Sequence, residues 1–199
     1  GIFSGTLSWL FQYYNGKTPF SELLSNALAQ GFTEPDPRED LSGRDVQRKL
    51  LILARAAGFE LSLADIQCQN LVPEALRDIP LTEFLARTTE LDEMFLRRFE
   101  QAQSKACGIR YVARFVCQHG QLNAKVSLEE LSNNHAFSQL TPCDNVFQIK
   151  SHWYQENPLI IRGPGAGRDV TAGGIHTDLV AICQQLSHRH QQVKIRGIQ

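Results

Sequence analysis

Residues 109–128 read IRYVARFVCQHGQLNAKVSL, and this stretch decides the fold class. Apolar side chains alternate with other residues on both sides of the pair His119-Gly120, at Ile109, Tyr111, Ala113 and Phe115 before it and at Leu122, Ala124, Val126 and Leu128 after it. Alternation with a period of two is typical of strands that bury one face, and a Gly-containing pair between two such runs is typical of a tight turn. The sequence therefore predicts an antiparallel hairpin here.

Helical patterns surround the hairpin. Periodicity and terminator residues predict helices over residues 2–14, 21–30, 43–57, 91–106 and 170–186, and short strands over 66–72, 146–149 and 159–161. Ser21 is expected to cap the second helix. In the third, Val46, Leu50, Leu53 and Ala57 should form the buried stripe. The sum predicts an α+β fold with a mostly antiparallel or mixed sheet, helices on one face, and a C-terminal strand-loop-helix that belongs structurally to another domain.

The composition excludes several function classes. The chain has 199 residues, 42% hydrophobic and 21% charged, with a formal net charge of -1, so it is long enough to bury a core and has no basic surplus to attract nucleic acid or anionic lipid. Its apolar runs are shorter than the ~20 residues that span a bilayer. The sequence opens on Gly1 within an apolar pattern, and we expect it to be a piece of a longer polypeptide.

The cysteines and histidines indicate neither disulfides nor a metal site. The five cysteines are odd in number and form no CxxC pair, so we expect reduced thiols in a cytoplasmic protein. His188 and His190 lie two positions apart, which does not place them on one helix face, and a solvated tail is the simpler interpretation.

An acidic loop followed by a helix is the first place where chemistry is plausible. Loop residues 33–40 read TEPDPRED, and the segment brings together Glu34, Asp36, Glu39, Asp40, Asp45 and Lys49 within sixteen positions. Carboxylates of this kind bind an ammonium group, while a lysine whose pKa is lowered by burial can exchange a proton with a reacting oxygen. Two ordinary interpretations compete: Ser42 and Asp45 resemble a capping box, and Asp45 and Lys49 are a standard surface pair.

A glycine-rich turn follows the last predicted strand. Residues 159–170 read LIIRGPGAGRDV, which has the strand, glycine turn and helix order that brings backbone close to a phosphate or a cofactor ring. The turn is not the GxGxxG dinucleotide fingerprint. A second interpretation stays open, in which Gly163, Gly165 and Gly167 serve tight turns and close packing.

Three segments carry a resemblance to a known family. GIFSGTLSWLF at 1–11, GFTEPDPREDLSGRDVQRKLLILAR at 31–55 and NPLIIRGPGAGRDVTAGG at 157–174 together resemble the catalytic half of homoserine dehydrogenases. The opening and LTPCDNVFQIKSHWY at 140–154 are more similar to the bifunctional aspartokinase/homoserine dehydrogenases than to the monofunctional enzymes, many of which have Asn-Tyr where this chain has Ser8-Trp9.

The resemblance implies an oxidoreductase that reversibly reduces L-aspartate 4-semialdehyde to L-homoserine with NADP or NAD, in threonine and methionine biosynthesis. By motif position, Glu34 and Asp40 would bind substrate, and Asp45 and Lys49 would act in catalysis. Gly163 and Gly165 would lie near the cofactor. The resemblance also implies a homodimer formed through the sheet, residues 1–162 as the substrate-binding and dimerisation domain, and residues 163–199 as the segment that returns to a nucleotide-binding domain.

The same resemblance implies that a Rossmann domain precedes residue 1, so we expect the chain alone to be inactive. Three alternatives remain at this point: a dimerisation module without ligand binding, an amino-acid-binding regulatory domain, and the catalytic half of a semialdehyde dehydrogenase. The last needs a cysteine nucleophile, for which no motif is visible.

Overall fold

The computed structural model describes residues 1–165 and 167–196, with side-chain surroundings described as far as residue 187. The chain divides into two compact units, residues 1–165 and 166–199. In the described part, no helix is both long enough and apolar enough to cross a bilayer.

The first unit combines helices with two small sheets. Its α-helices are α1 (Gly5–Tyr13), α2 (Phe20–Ala29), α3 (Pro37–Leu41), α4 (Arg44–Ala56), α5 (Leu81–Ala86) and α6 (Asp92–Gln103), with short 3₁₀ helices at Leu63–Asp65, Glu74–Leu76 and Thr88–Leu91. The strands are β1 (Ile66–Cys68), β2 (Cys107–Gln118), β3 (Gln121–Ser132), β4 (Asp144–Ile149) and β5 (Leu159–Pro164). The described part of the second unit contains α7 (Arg168–Arg196).

The predicted hairpin is confirmed. Strands β2 and β3 pair antiparallel with Tyr111 opposite Leu128 and Ala113 opposite Val126, and β1 adds to β3 in parallel. The sheet is therefore mixed, in the order β1-β3-β2. His119 and Gly120 both have positive φ, 51° and 76°, as a two-residue turn between twisted strands requires. Strands β4 and β5 form a second, antiparallel pair.

The main core lies between the helices and one face of the three-stranded sheet. Alternate residues of the hairpin, including Ile109, Tyr111, Ala113 and Val126, join a large cluster with buried aromatic side chains of the helices, among them Phe11, Phe20, Phe84 and Phe95. Val112 points to the other face and packs in a smaller cluster with Ile2, Leu131, Phe137, Leu140 and Val146. The fold is thus the expected α+β arrangement, with helices packed on one face of a mixed sheet.

Residues 1–3 connect the two sheets. The Ala113 amide of β2 donates to the Gly1 carbonyl at 2.9 Å, and Ile2 forms an antiparallel bridge with Val146 of β4. The Phe3 ring stacks on that of Phe147, also in β4, at 4.8 Å between centroids. This short segment therefore fixes β4 relative to the hairpin, and it leads directly into α1.

Local details differ from the sequence-based expectations where a distant contact intervenes. Helix α2 begins one residue earlier, with Pro19 at the cap, because the amide and hydroxyl of Ser21 both donate to the Asp92 carboxylate of α6, at 2.7 and 2.8 Å. Leu53 is 39% exposed; the buried stripe of α4 is Val46, Leu50, Leu51 and Ala54. The strand expected over 66–72 ends at Cys68. Helix α7 continues through positions 188–190, where a tail was expected.

Candidate active site

The acidic loop is held rigidly by one arginine. Asp36 caps α3 by accepting from the Arg38 amide at 3.0 Å, and Pro37 occupies the first helical turn. The Arg38 guanidinium pairs with Asp36 at 2.7 Å, donates to the carbonyls of Arg77 and Ile79, and lies 5.1 Å from the centroid of the Phe84 ring. Its hydrogen bonds hold the pKa of Asp36 below the usual range. The second half of the loop predicted over 33–40 is therefore helical, and Arg38 joins it by hydrogen bonds to the segment before α5.

Asp40 is bound on both of its oxygens. The Thr6 hydroxyl of α1 lies 2.8 Å from Oδ1, and the backbone amide of Glu34 donates to Oδ2 at 2.8 Å. Burial raises the pKa of Asp40, and the negative charges of Glu34 and Asp45 raise it further, while the hydrogen bond that the Glu34 amide donates acts in the opposite direction. The carboxylates of Glu34, Asp40 and Asp45 therefore lie close enough to affect one another, and α1 contributes Thr6 to the same site.

Lys49 is tied to two different elements. Its ammonium nitrogen lies 2.8 Å from Asp45 Oδ2, one helical turn away, and donates to the Phe3 carbonyl at 3.0 Å. The side chains of Lys49 and Asp45 are 46% and 59% exposed, so the pair faces solvent and is accessible to a ligand. The helix that carries them starts at Gly43, whose φ of 73° allows the turn from α3 into α4.

The capping interpretation of Asp45 is not what the structure adopts. Gly43, not Ser42, is the N-cap of α4, and the Ser42 hydroxyl donates to the Glu39 carbonyl and accepts from the Arg44 amide. The carboxylate of Asp45 instead pairs with Lys49. Asp45 and Lys49 therefore form the surface ion pair that the sequence predicts. The hydrogen bond to the Phe3 carbonyl distinguishes Lys49 from an ordinary lysine on a helix surface.

Sequence reasoning missed Phe3 and Thr6. Both precede or begin α1, and each meets a predicted site residue across the fold: Phe3 contacts Lys49 and Thr6 contacts Asp40. Neither contact is local, since the partners are 46 and 34 positions apart. The one available signal was that residues 1–11 are part of the family motif.

The glycine turn lies at the end of β5, in the same unit as the site. Gly163 pairs with Asn145 of β4, two positions before Phe147, which stacks on Phe3. A Cβ added at Gly165 would overlap the carboxamide of Asn145, whereas one at Gly163 would meet nothing within 4 Å. Close packing therefore explains Gly165, while the space beside the Cα of Gly163 is open. Gly167 has a φ of 134°.

Over the residues with described surroundings, no group of three or more His, Cys, Asp or Glu side chains is arranged to hold a metal ion. All five cysteines are free thiols. The side chains of His188 and His190 lie outside the described residues.

Comparison with known proteins decides the family. The family model described as homoserine dehydrogenase matches residues 1–180. This chain belongs to the homoserine dehydrogenase family. The resemblance seen in the three sequence segments is thereby confirmed, and the semialdehyde dehydrogenase and regulatory-domain alternatives give way to it.

Relatives of this homoserine dehydrogenase chain include bifunctional and monofunctional proteins. The Escherichia coli bifunctional aspartokinase/homoserine dehydrogenase 2 is 49% identical, with 94% of this chain covering 23% of that protein. An Emericella nidulans homoserine dehydrogenase is 36% identical, with 94% of this chain covering 53% of it. A crystal structure of a Candida auris protein of unknown function superposes with a TM-score of 0.83 at 36% identity, covering 91% of this chain and 51% of that one. The chain thus spans between about a fifth and a half of the length of these relatives.

Proposed function

We propose that this chain is the substrate-binding and catalytic portion of a homoserine dehydrogenase, which interconverts L-aspartate 4-semialdehyde and L-homoserine with NADPH or NADH. The observation that carries the proposal is the position of the Lys49 ammonium group, held between Asp45 and the Phe3 carbonyl beside a cluster of carboxylates. A cation and several anions within one accessible site suit a substrate that carries both an ammonium group and a reacting carbonyl.

Lys49 acts as proton donor in this proposal. A lysine ammonium has three N–H bonds, and Asp45 and Phe3 each take one, which leaves one for the substrate oxygen. As the aldehyde carbon accepts a hydride, its oxygen accepts the proton from Lys49 and becomes the hydroxyl of homoserine. Asp45 and Phe3 position the ammonium group so that its free N–H is oriented before the reaction, which is how a positioned acid accelerates proton transfer.

Glu34 is the direct ligand for the substrate ammonium group. Its side chain is exposed, whereas both oxygens of Asp40 already accept or share hydrogen bonds within the chain. Asp40 lines the site, and the hydrogen bond that it accepts from the Glu34 amide fixes the start of the acidic turn. A charge-assisted hydrogen bond from the ammonium group to Glu34 is the stronger class of hydrogen bond.

The cofactor supplies the hydride when it is bound. Within this chain Gly163 is the better candidate for contact with it, since the space beside its Cα is free, and Gly165 supports the turn by packing on Asn145. The sequence has no GxGxxG turn, so we assign most of the cofactor site to a nucleotide-binding domain outside residues 1–199. The chain alone is therefore expected to be inactive.

The remaining assignments follow from the same proposal. Residues 1–162 form the substrate-binding and dimerisation domain, with a homodimer made through the sheet, and residues 163–199 return toward the nucleotide-binding domain. In support, α7 cannot bury its own apolar residues Val170, Ile175, Leu179 and Ile182, because a lone helix has no core. Free, exposed thiols at Cys117 and Cys183 suit the cytoplasm.

Substrate binding by Glu34 can be tested against a matched neighbour. In an enzyme in which this chain is joined to a nucleotide-binding domain, Glu34→Gln should weaken L-homoserine binding by about tenfold or more, the loss expected for a charged hydrogen bond. Glu39→Gln removes an exposed carboxylate from the same turn and should change the Kd less than about twofold. Equal effects of the two variants in calorimetry would contradict the role of Glu34, and no semialdehyde-dependent oxidation of NADPH by the joined enzyme would contradict the function.

A further inference from the structure

The hydroxyl of Thr6 has more hydrogen-bond contacts than it has protons. Its oxygen lies 2.6 Å from the Phe32 carbonyl oxygen and 2.8 Å from Asp40 Oδ1. Both separations are those of full O–H···O hydrogen bonds. A threonine hydroxyl carries one hydrogen, and a carbonyl oxygen only accepts. One proton must therefore come from a group other than Thr6.

The arrangement that places a hydrogen atom in both of these short contacts puts that proton on Asp40. If Asp40 is ionised, either the Phe32 carbonyl or the carboxylate faces the Thr6 oxygen at hydrogen-bond distance with no hydrogen between them. If Oδ1 is protonated, it donates to Thr6, and Thr6 donates to Phe32. The Glu34 amide then donates to the free Oδ2 at 2.8 Å. Thr6 itself is 8% exposed, so its hydroxyl has little access to water.

The charged groups around Asp40 favour the same state. Glu34 precedes it in the loop, and Asp45 faces it from α4; both are negative and both act against its ionisation. Of the nearby cations, Lys49 is paired with Asp45, and Arg38 of α3 is paired with Asp36. Glu39 adds another carboxylate on α3, and α1 carries no charged residue. Asp40 is half-buried, and a carboxyl group that is partly removed from water and flanked by like charges is shifted toward its neutral form.

We propose that Thr6 is a positioning residue that keeps Asp40 as a neutral carboxylic acid before substrate binds, and that arrival of the substrate ammonium group drives the Asp40 proton into solvent. The second step rests on the function proposed above. The ammonium cation supplies the positive charge that Asp40 lacks in the free protein, so the ionised form becomes the stable one. The carboxyl O–H bond of Asp40 breaks and its proton passes to water or a buffer base, so the acidic turn gains one negative charge when it holds the substrate.

The protonation state can be measured without any assumption about function. In the full chain labelled with ¹³C at the aspartate carboxyl carbons, Asp40→Asn identifies the Asp40 signal, and its titration gives a midpoint. A neutral acid in the free protein requires a midpoint above about pH 7, whereas an unperturbed aspartate, with a pKa of ~3.9, is ionised at that pH. A midpoint below about pH 7 would overturn the proposal.

Substitution of Thr6 tests the direction of the hydrogen bond. Thr6→Val removes the acceptor for the acid proton, so the midpoint should fall, whereas Thr6→Ser should leave it unchanged. A hydroxyl that donates to an ionised Asp40 predicts the opposite sign, a rise in Thr6→Val, and that result would refute the assignment. If Thr6→Val fails to fold, Thr6→Ala provides the same comparison with less steric change.

The coupling to substrate has a separate readout. In the enzyme joined to its nucleotide-binding domain, L-homoserine binding is measured at a pH below the Asp40 midpoint in two buffers with different ionisation enthalpies. We expect release of up to about one proton per site in the wild type and none in Asp40→Asn. Binding without proton release from a protonated Asp40 would overturn the coupling. Absence of any binding would count against the proposed function, while the titration of Asp40 would still decide its protonation state.

Discussion

The carbonyl oxygen of Phe3 accepts a hydrogen bond from the Lys49 ammonium group at 3.0 Å, across 46 positions of the chain. This contact gives the lysine a fixed direction that its ion pair with Asp45 alone would not supply, because exposed helix-surface pairs are worth only about 0.2–0.5 kcal/mol. The same short segment packs through the Phe3 ring on Phe147 of β4, which pairs with the strand that carries the glycine turn. The proposed proton donor Lys49 and the proposed cofactor contact at Gly163 are therefore linked through Phe3 and β4.

The start of α4 depends on Gly43. Its φ is 73°, and a Cβ there would overlap the hydroxyl of Tyr111. Gly31 has a φ of 72° with open space around it. Gly31→Ala should therefore lower the free energy of unfolding by about 1–2 kcal/mol, the cost of a left-handed backbone at alanine. Gly43→Ala should lower it by at least about 2 kcal/mol more, because its Cβ would also overlap Tyr111. Denaturant unfolding of the two variants measures the difference, and equal losses would contradict the packing role of Tyr111.

The sequence predicted what depends on local patterns. The hairpin register follows from alternation on both sides of a two-residue turn, and the Asp45–Lys49 pair follows from the helical repeat. It failed where a distant partner competes with a local rule. Ser21 donates to Asp92, 71 positions away, and so Pro19 takes the cap position. In α4, Ala54 replaces the expected Leu53 on the buried face, because the three-dimensional contacts with the sheet select the stripe.

In the candidate site, too, local patterns reveal some residues and only distant contacts reveal the others. Its acidic and basic residues lie within sixteen positions of sequence, so a pattern can find them. Thr6 and Phe3 cannot be found in that way, since a neutral hydroxyl and a backbone carbonyl have no sequence signature for their distant partners. Their roles appear only once α1 is placed against the acidic turn.

Arg110 should be unusually important for stability. Its five N–H groups all donate to neutral acceptors, namely the carbonyls of Phe11, Ile109, Phe137 and Ser138 and the side-chain oxygen of Gln12. Burial lowers its pKa. Lysine has three donors and cannot reach all five acceptors, so Arg110→Lys should destabilise the fold by about 2–4 kcal/mol.

Arg114 on the same strand provides the control for Arg110. Its side chain is half exposed and pairs with Glu129. Arg114→Lys keeps a partner for that carboxylate and should cost less than about 1 kcal/mol. Similar losses for the two substitutions in urea unfolding would show that the saturated guanidinium is not what stabilises this region.

Stability should depend on pH through Asp40. Because burial raises its pKa in the folded state, the folded protein binds this proton more tightly than the unfolded chain does. The resulting stabilisation is full below the unfolded pKa of ~3.9 and is lost as the pH rises through the raised folded pKa. Asparagine cannot ionise, and its amide can donate to Thr6 while accepting from the Glu34 amide.

Asp40→Asn should therefore have the Tm of the wild type near pH 4 and a Tm higher by at least about 2 °C at pH 7, which corresponds to somewhat less than 1 kcal/mol for a chain of this size. Thermal unfolding across this pH range checks the prediction. A variant that is less stable than the wild type at pH 7 would mean that the ionised carboxylate is the better-solvated form.

The glycine turn offers a comparison between packing and ligand contact. Gly165→Ala should displace the Asn145 carboxamide and lower stability, whereas Gly163→Ala should leave stability nearly unchanged because its surroundings are open. In the joined enzyme, Gly163→Ala should nevertheless raise the KM for NADPH by several-fold if this backbone approaches the cofactor. An unchanged KM in a fully stable variant would remove Gly163 from the cofactor site.

The most direct test of the catalytic role of Lys49 uses the Lys49→Ala variant of the joined enzyme. Its turnover and its affinity for L-homoserine are measured. The control is Arg48→Ala, which removes an exposed cation one position away. The account predicts that kcat falls by about 10²- to 10⁴-fold in Lys49→Ala, the usual contribution of a positioned general acid, while the Kd stays within about threefold and Arg48→Ala remains near the wild type. Turnover of Lys49→Ala within about threefold of the wild type would contradict it.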